Sequence, residues 1–234
     1  MHLGMIGGIG PASTVAYYQR LSAGVREAGG VLDLTIVNAD VNELIRNNDA
    51  NDKQAQAKAY ANLIDRLKHA GAECAAITSL GGHFCFEDTV ALASLPMISA
   101  VTPLDAYFAK NGMESVGLMG TKVVMQTQLY GQLSHTKALV PDTTLEAVGD
   151  TYIDMALASH CTDTQRTFFI EEGQKLIDKG ADAIVLAGTD LSLAFDGRNV
   201  GYKVVDALDV HVSLLTDIAL GHADLNEHSA RLTQ

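Results

Sequence analysis

Gly71-Ala72-Glu73-Cys74-Ala75-Ala76-Ile77-Thr78-Ser79 returns, about half the chain later, as Gly180-Ala181-Asp182-Ala183-Ile184-Val185-Leu186-Ala187-Gly188-Thr189. Each copy follows an amphipathic stretch of helical period, turns on Gly-Ala-acid, runs as a short apolar strand and stops on small polar residues. Parallel sheets place their ligands at the carboxyl ends of strands. The two tips, Thr78-Ser79 and Gly188-Thr189, are therefore where chemistry is expected. Two such tips from two similar halves could face one substrate, which is the geometry of a two-base enzyme.

Outward from these segments, apolar strands alternate with helix-length stretches in a βαβα rhythm, the pattern of an α/β protein with parallel sheets covered on both faces. Strands are expected at 2–6, 34–38, 74–78, 97–99, 115–119, 138–140, 183–187 and 202–205. Helical patterns run over 11–28, 51–70, 86–94, 101–111, 124–134, 163–179 and 207–222. The repeat points to a duplicated half rather than a short-period solenoid. Residues 1–101 with 207–234 make the first half-domain and 102–206 the second, the last helix returning to the first half. The polar segment Ala223 to Gln234 is expected to fray.

With 234 residues and 47% hydrophobic content, the chain can bury one large or two small cores. No apolar run reaches membrane-spanning length, and Met1 to Ile6 reads as a strand entering a glycine turn rather than as a signal peptide. A soluble, cytoplasmic protein is expected. A net charge of −12 without a basic cluster argues against nucleic-acid and anionic-membrane partners. A small carboxylate stays open as a ligand, because amides at helix N-termini bind anions against a global field. The three cysteines, Cys74, Cys85 and Cys161, are too few for a disulfide framework and lack metal-ligand spacing.

The stretch Met5-Ile6-Gly7-Gly8-Ile9-Gly10-Pro11-Ala12-Ser13-Thr14 is a strand, a glycine turn and a helix start. Its loop amides at Gly8 and the hydroxyls of Ser13 and Thr14 either hold a substrate carboxylate or close a tight, capped turn. Ser13 stands where a dinucleotide fingerprint needs its third glycine, which disfavours a dinucleotide.

At this point the chain resembles the aspartate/glutamate racemase family. The match runs through Gly7-Gly8, Ser13-Thr14 and Tyr17-Tyr18, then Gly117-Leu118-Met119-Gly120-Thr121, Met125 and Tyr130. It continues through Gly180-Ala181-Asp182 and Thr189-Asp190 to Asp206 and His211. The resemblance implies two doubly wound half-domains related by a pseudo-twofold axis, with a substrate cleft between them. It also implies no pyridoxal phosphate, no metal, a role in amino-acid metabolism and a homodimer. Its chemistry uses two cysteines on opposite sides of the substrate α-carbon, one removing a proton as thiolate and the other donating one.

Carried residue by residue, the first cysteine falls on Ser79 beside Thr78, with the motif's histidine kept as His83. The second falls on Gly188, followed by Thr189 and Asp190. Both thiols are missing. His83 then becomes the residue expected to retain acid or base chemistry, or else to satisfy the Gly81-Gly82 turn. His211 is read as a second-site acid/base or a core histidine, and Asp190 as its orienting partner, an ammonium acceptor or a helix cap. Cys85 reads as a buried hydrophobe unless a shifted loop brings it to the cleft. Thr121, Thr189, Asn38 and Asp40 complete the expected substrate set, and Arg46 is a solvated cation or a partner for a side-chain carboxylate.

Three readings follow. The first is a cofactor-independent racemase-like isomerase acting at the α-carbon of a small carboxylate or amino acid. The second is a lyase or decarboxylase needing one acid/base, for which the glycine at 188 makes room. The third is a carboxylate binder that kept the pocket without its bases.

Overall fold

The computed structural model describes residues 1–230. In chain order its elements are β1 (His2–Gly7), α1 (Pro11–Glu27), β2 (Asp33–Asn38), α2 (Val41–Asp49), α3 (Lys53–His69), β3 (Cys74–Ile77), α4 (Phe86–Leu92), β4 (Met97–Ile98) and α5 (Thr102–Lys110). They continue with β5 (Ser115–Gly120), α6 (Lys122–Gln126), β6 (Lys137–Leu139), α7 (Leu145–Ala158), α8 (Asp163–Asp178), β7 (Ala183–Ala187), α9 (Ser192–Phe195), β8 (Val204–Asp206), α10 (Ala207–Leu220), α11 (Leu225–His228) and β9 (Ser229–Ala230). Short 3-10 turns lie at Gly81–Cys85, Leu129–Gly131 and Thr189–Leu191.

The chain divides into two compact units, residues 1–9, 13–100 and from His211 on, and residues 10–12 with 101–210. The first holds a sheet ordered β2-β1-β3-β4-β9, parallel except for the β4–β9 pair. The second holds β6-β5-β7-β8, all parallel. β3 and β7 are buried along their whole length, as strands covered on both faces must be. Tyr17, Tyr60, Leu3, Ile64 and Leu67 fill the first core. Met119, Phe169, Leu176, Ile184 and Leu186 fill the second.

The repeated Gly-Ala-acid segment has one physical explanation in both units. Gly71 (φ +95°) and Gly180 (φ +100°) take the left-handed conformation that ends a helix without a Cβ penalty. Gly71 N–H then bonds Lys68 C=O and Ala72 N–H bonds Leu67 C=O, while Gly180 and Ala181 repeat this with Ile177 and Leu176. The acid that follows fastens the neighbouring strand. Glu73 accepts from His2 N–H at 2.7 Å, and Asp182 accepts from Glu114 and Ser115 N–H at 2.8 and 2.9 Å.

Four local expectations are corrected. α2 and α7 form where no helix was expected. The stretch 124–134 does not continue as one helix, because Gln128, Leu129 and Tyr130 adopt positive φ and turn the chain after α6. The segment expected to fray carries α11 and β9 instead, and Ser229–Ala230 pairs antiparallel with Met97–Ile98, so the edge of β4 is covered. Residues 231–234 of that segment lie outside the described residues.

Candidate active site

In the first unit the tips of β1 and β3 are laced together by side chains. Gly8, at φ +82°, donates its N–H to Thr14 Oγ1 at 2.9 Å. Ser13 Oγ donates to the Thr78 carbonyl at 3.0 Å, and Thr78 Oγ1 donates to the Ile6 carbonyl at 2.9 Å. Gly8, Ser13, Thr14 and Thr78 thus each spend a hydrogen bond on closing this turn. A Cβ on Gly8 would strike the Asn38 amide, whose Nδ2 donates to Ala39 C=O at 3.0 Å. Asp40 caps α2 by accepting from Asn42 N–H at 2.9 Å.

Ser79 follows β3 directly and is 8% exposed. Its Oγ accepts from Gly82 N–H at 3.2 Å, and its own proton goes to no acceptor among the described residues. His83, one turn on, is fixed on both nitrogens. Nδ1 lies 2.7 Å from the Ser79 carbonyl, which can only accept, and Nε2 takes the Ala100 N–H at 3.0 Å. The partners therefore dictate a neutral ring protonated at Nδ1. Burial pushes the His83 pKa down to about 4, outweighing the Ser79 carbonyl, which pulls it up. Phe86 stacks on the ring with centroids 5.0 Å apart.

His211 is wholly buried on α10, where Nδ1 meets the Tyr17 hydroxyl at 2.8 Å. Its Nε2 has no hydrogen-bond partner among the described residues. Burial, reinforced by His83, lowers its pKa to about 3. Both histidines are uncharged at neutral pH.

In the second unit β5 and β7 run side by side to their tips, Gly120 opposite Ala187. Thr121 caps α6, its Oγ1 accepting from Val124 N–H at 3.4 Å. Gly188 has an ordinary extended backbone, φ −131° and ψ 116°, so its lack of a side chain is a matter of space. A Cβ there would come within 2.8 Å of Tyr152 Cζ and 3.0 Å of Cδ2, and closer still to Cε2. The Tyr152 ring, carried by α7, occupies the room that a residue-188 side chain would need.

The phenol donates to Asp190 Oδ2 at 3.2 Å. Burial first, and then the Asp190 charge, raise the Tyr152 pKa well above the usual value of 10.0. The Asp190 backbone and the Thr189 side chain work the other way and favour its ionised form. Asp190 is itself 2% exposed, and a Cβ on Gly10 would lie 2.8 Å from its Cγ. Asp190 thus accepts from Tyr152 within the second unit, and His211 meets Tyr17 within the first.

The three cysteines are all buried. Burial raises Cys74 to about 12 and Cys85 to about 11, and it raises Cys161 as well. Cys85 Sγ lies 3.8 Å from the Gly82 carbonyl and 3.6 Å from Thr89 Oγ1, packing α4 as a small hydrophobe. Among the described residues no three His, Cys, Asp or Glu side chains converge as metal ligands. Tyr152 is the residue at the β7 tip that sequence reasoning missed. Its signal was the bare Gly188, which asks what fills the space, beside the unassigned apolar series Val148, Tyr152 and Met155.

Two α/β units, each with helix-flanked parallel strands ending in small polar residues, define a racemase-like architecture. A family model for Asp/Glu/hydantoin racemases matches residues 6–215, and the chain belongs to that family. Among solved structures, an Asp/Glu racemase candidate from Yersinia pestis is 27% identical, with 94% of this chain and 100% of that one covered and a TM-score of 0.79. The Picrophilus torridus aspartate racemase is 19% identical over 94% of each chain, with a TM-score of 0.78. An aspartate racemase homologue from Pyrococcus horikoshii is 23% identical over 94% of this chain and 99% of that one, with a TM-score of 0.74. No described helix is long and apolar enough to cross a membrane.

Proposed function

We propose that the protein catalyses cofactor-independent proton transfer at the α-carbon of a small carboxylate, an acidic amino acid being the first candidate. Membership of a racemase family supports this reaction class. The observation that carries the reading is Ser79, a hydroxyl at the β3 tip in the first cysteine position, its oxygen fixed by Gly82 N–H and its proton uncommitted among the described residues. A donor aimed at that oxygen favours its ionised form, the direction needed for a proton acceptor. A hydroxyl remains far less acidic than a thiol, so turnover on aspartate or glutamate is expected to be slow.

Of the two parts open to His83, its hydrogen bonds support the backbone-holding one. With both nitrogens held by backbone and its charge suppressed, it positions the Ser79 carbonyl against the Ala100 amide and carries no proton to substrate. Thr78, Ser13 and Thr14 likewise hold the β1–β3 turn in shape. The test is proton NMR in D₂O with L- and D-aspartate and L- and D-glutamate. Loss of the α-proton signal, reduced by Ser79→Ala, supports the reading. Binding without exchange would instead make the protein a carboxylate binder.

A second reading is favoured by one observation: no imidazole touches Ser79 Oγ, so no base activates it. Decarboxylation of a malonate-type acid needs no α-proton abstraction, because CO₂ leaves with cleavage of the C–C bond and the carbanion then takes a proton. Release of CO₂ from malonate-type probes, with no exchange of the amino acids, would select this reaction.

A further inference from the structure

We propose that Tyr152 is the catalytic proton donor of the second unit, its phenol standing in for the side chain that residue 188 lacks; this rests on the reading of α-carbon proton transfer given above.

Three observations carry it. The ring lies in the space of the absent Cβ of Gly188, at the tip of β7, the strand end where a parallel sheet gathers its ligands. The hydroxyl is not merely buried bulk, since it donates to the Asp190 carboxylate at 3.2 Å. Asp190 is then seated by Gly10, where a side chain would collide with its carboxyl group. Filling alone would be done as well by phenylalanine or leucine, without the cost of burying a hydroxyl and a carboxylate.

The chemistry matches a donor better than an acceptor. A phenol held un-ionised is a weak base at neutral pH, yet it readily gives its proton to a carbanion, which is far more basic. In that step the phenol O–H breaks, the Cα–H bond forms, and the O–H electron pair stays on the phenolate oxygen. The Asp190 backbone and the Thr189 side chain favour that phenolate electrostatically. Water returns the proton to Tyr152, and the proton removed from substrate neutralises the hydroxide so formed. The Asp190 carboxylate opposes a lasting phenolate, so the donor resets.

The experiment compares the native chain with Tyr152→Phe, which keeps the ring that fills the space at Gly188 and removes only the hydroxyl. L- and D-aspartate and L- and D-glutamate are the probes, in D₂O, and the readout is the ratio of inverted product to reactant exchanged with retention. In Tyr152→Phe the ratio is expected to fall about 100-fold or more, the range of a lost general acid. Exchange with retention should remain detectable for one enantiomer, and the melting temperature should stay near that of the native chain.

A ratio equal to that of the native chain would overturn the proposal while leaving the α-carbon reading intact. Absence of exchange in the native chain would overturn that reading and the donor assignment with it. Asp190→Asn gives an independent measure, because removing the charge eases phenol ionisation and should move the basic limb of the inversion rate to lower pH. An unmoved limb would also overturn the assignment.

Discussion

The ring of Tyr152 stands where Gly188 would carry its side chain, and the two residues form one coupled feature of the second unit. Restoring a side chain at 188 therefore overfills a packed core. Gly188→Ala is expected to cost about 1–3 kcal/mol, the range for an extra methyl group in a full core. Tyr152→Ala, which empties the ring space, should cost about 3–5 kcal/mol by itself. Since each change occupies or vacates the same volume, the double variant should recover at least about 1 kcal/mol relative to their sum. Urea unfolding of the four proteins measures this coupling, and strict additivity would show that the ring and the glycine do not share space.

The thiols are expected to be silent in the folded protein. Each of the three cysteines is buried and its pKa is raised, which depletes the nucleophilic thiolate. A thiol-reactive dye should label none of them on a minutes timescale under native conditions and all three in denaturant. α-Proton exchange should be insensitive to the same reagent. Loss of exchange on modification, rescued by Cys85→Ala, would return Cys85 to the site.

The Gly-Ala-acid repeat exposed the fold, because one local device, a left-handed glycine closing a helix and an acid fastening the next strand, recurs in both units. Strand tips could be located for the same reason. The side chains that complete the site were not legible, since their roles depend on contacts far apart in sequence. Tyr152 meets Gly188 from a helix that a short apolar series announced only weakly, and His211 finds Tyr17 from the far end of the chain. Residue type likewise could not tell that the carbonyl of Ser79 and the amide of Ala100 hold both His83 nitrogens. β9 escaped notice because two residues pairing at a sheet edge carry no period.

Asp105 is expected to anchor the loop before β6. Its carboxylate accepts from Ser134 N–H at 2.9 Å, Ser134 Oγ at 2.7 Å, His135 N–H at 3.1 Å and Thr136 N–H at 3.2 Å. Burial would raise its pKa, but these donors outweigh burial and hold it down at about 2. Asp105→Ala strands several buried donors at once and should cost roughly 2–4 kcal/mol, while Asp105→Asn should cost less. Chemical denaturation of both variants checks the order.

Acid should destabilise the first unit through its two buried histidines. His83 and His211 have folded pKa values of about 4 and about 3, below the ordinary 6.5. Below pH 6.5 the unfolded chain takes up protons that the folded chain refuses, so stability rises with pH through this window and is lost as pH falls. The limiting slope is about 1.4 kcal/mol per pH unit for each histidine. The His83 contribution levels off near pH 4 and the His211 contribution near pH 3, where the folded rings also protonate. Asp105 acts in the same direction, but its loss begins only below the ordinary carboxylate range and extends to about pH 2, so the upper part of the window belongs to the histidines. His83→Gln removes one titrating ring while leaving a donor and an acceptor for Ser79 and Ala100. Between pH 5 and 6.5 its stability should fall less steeply than that of the native chain, by up to about 1.4 kcal/mol per pH unit. Parallel curves for the two proteins would mean that His83 protonates in the folded state as freely as in the unfolded one, and would reopen it as a carrier of protons.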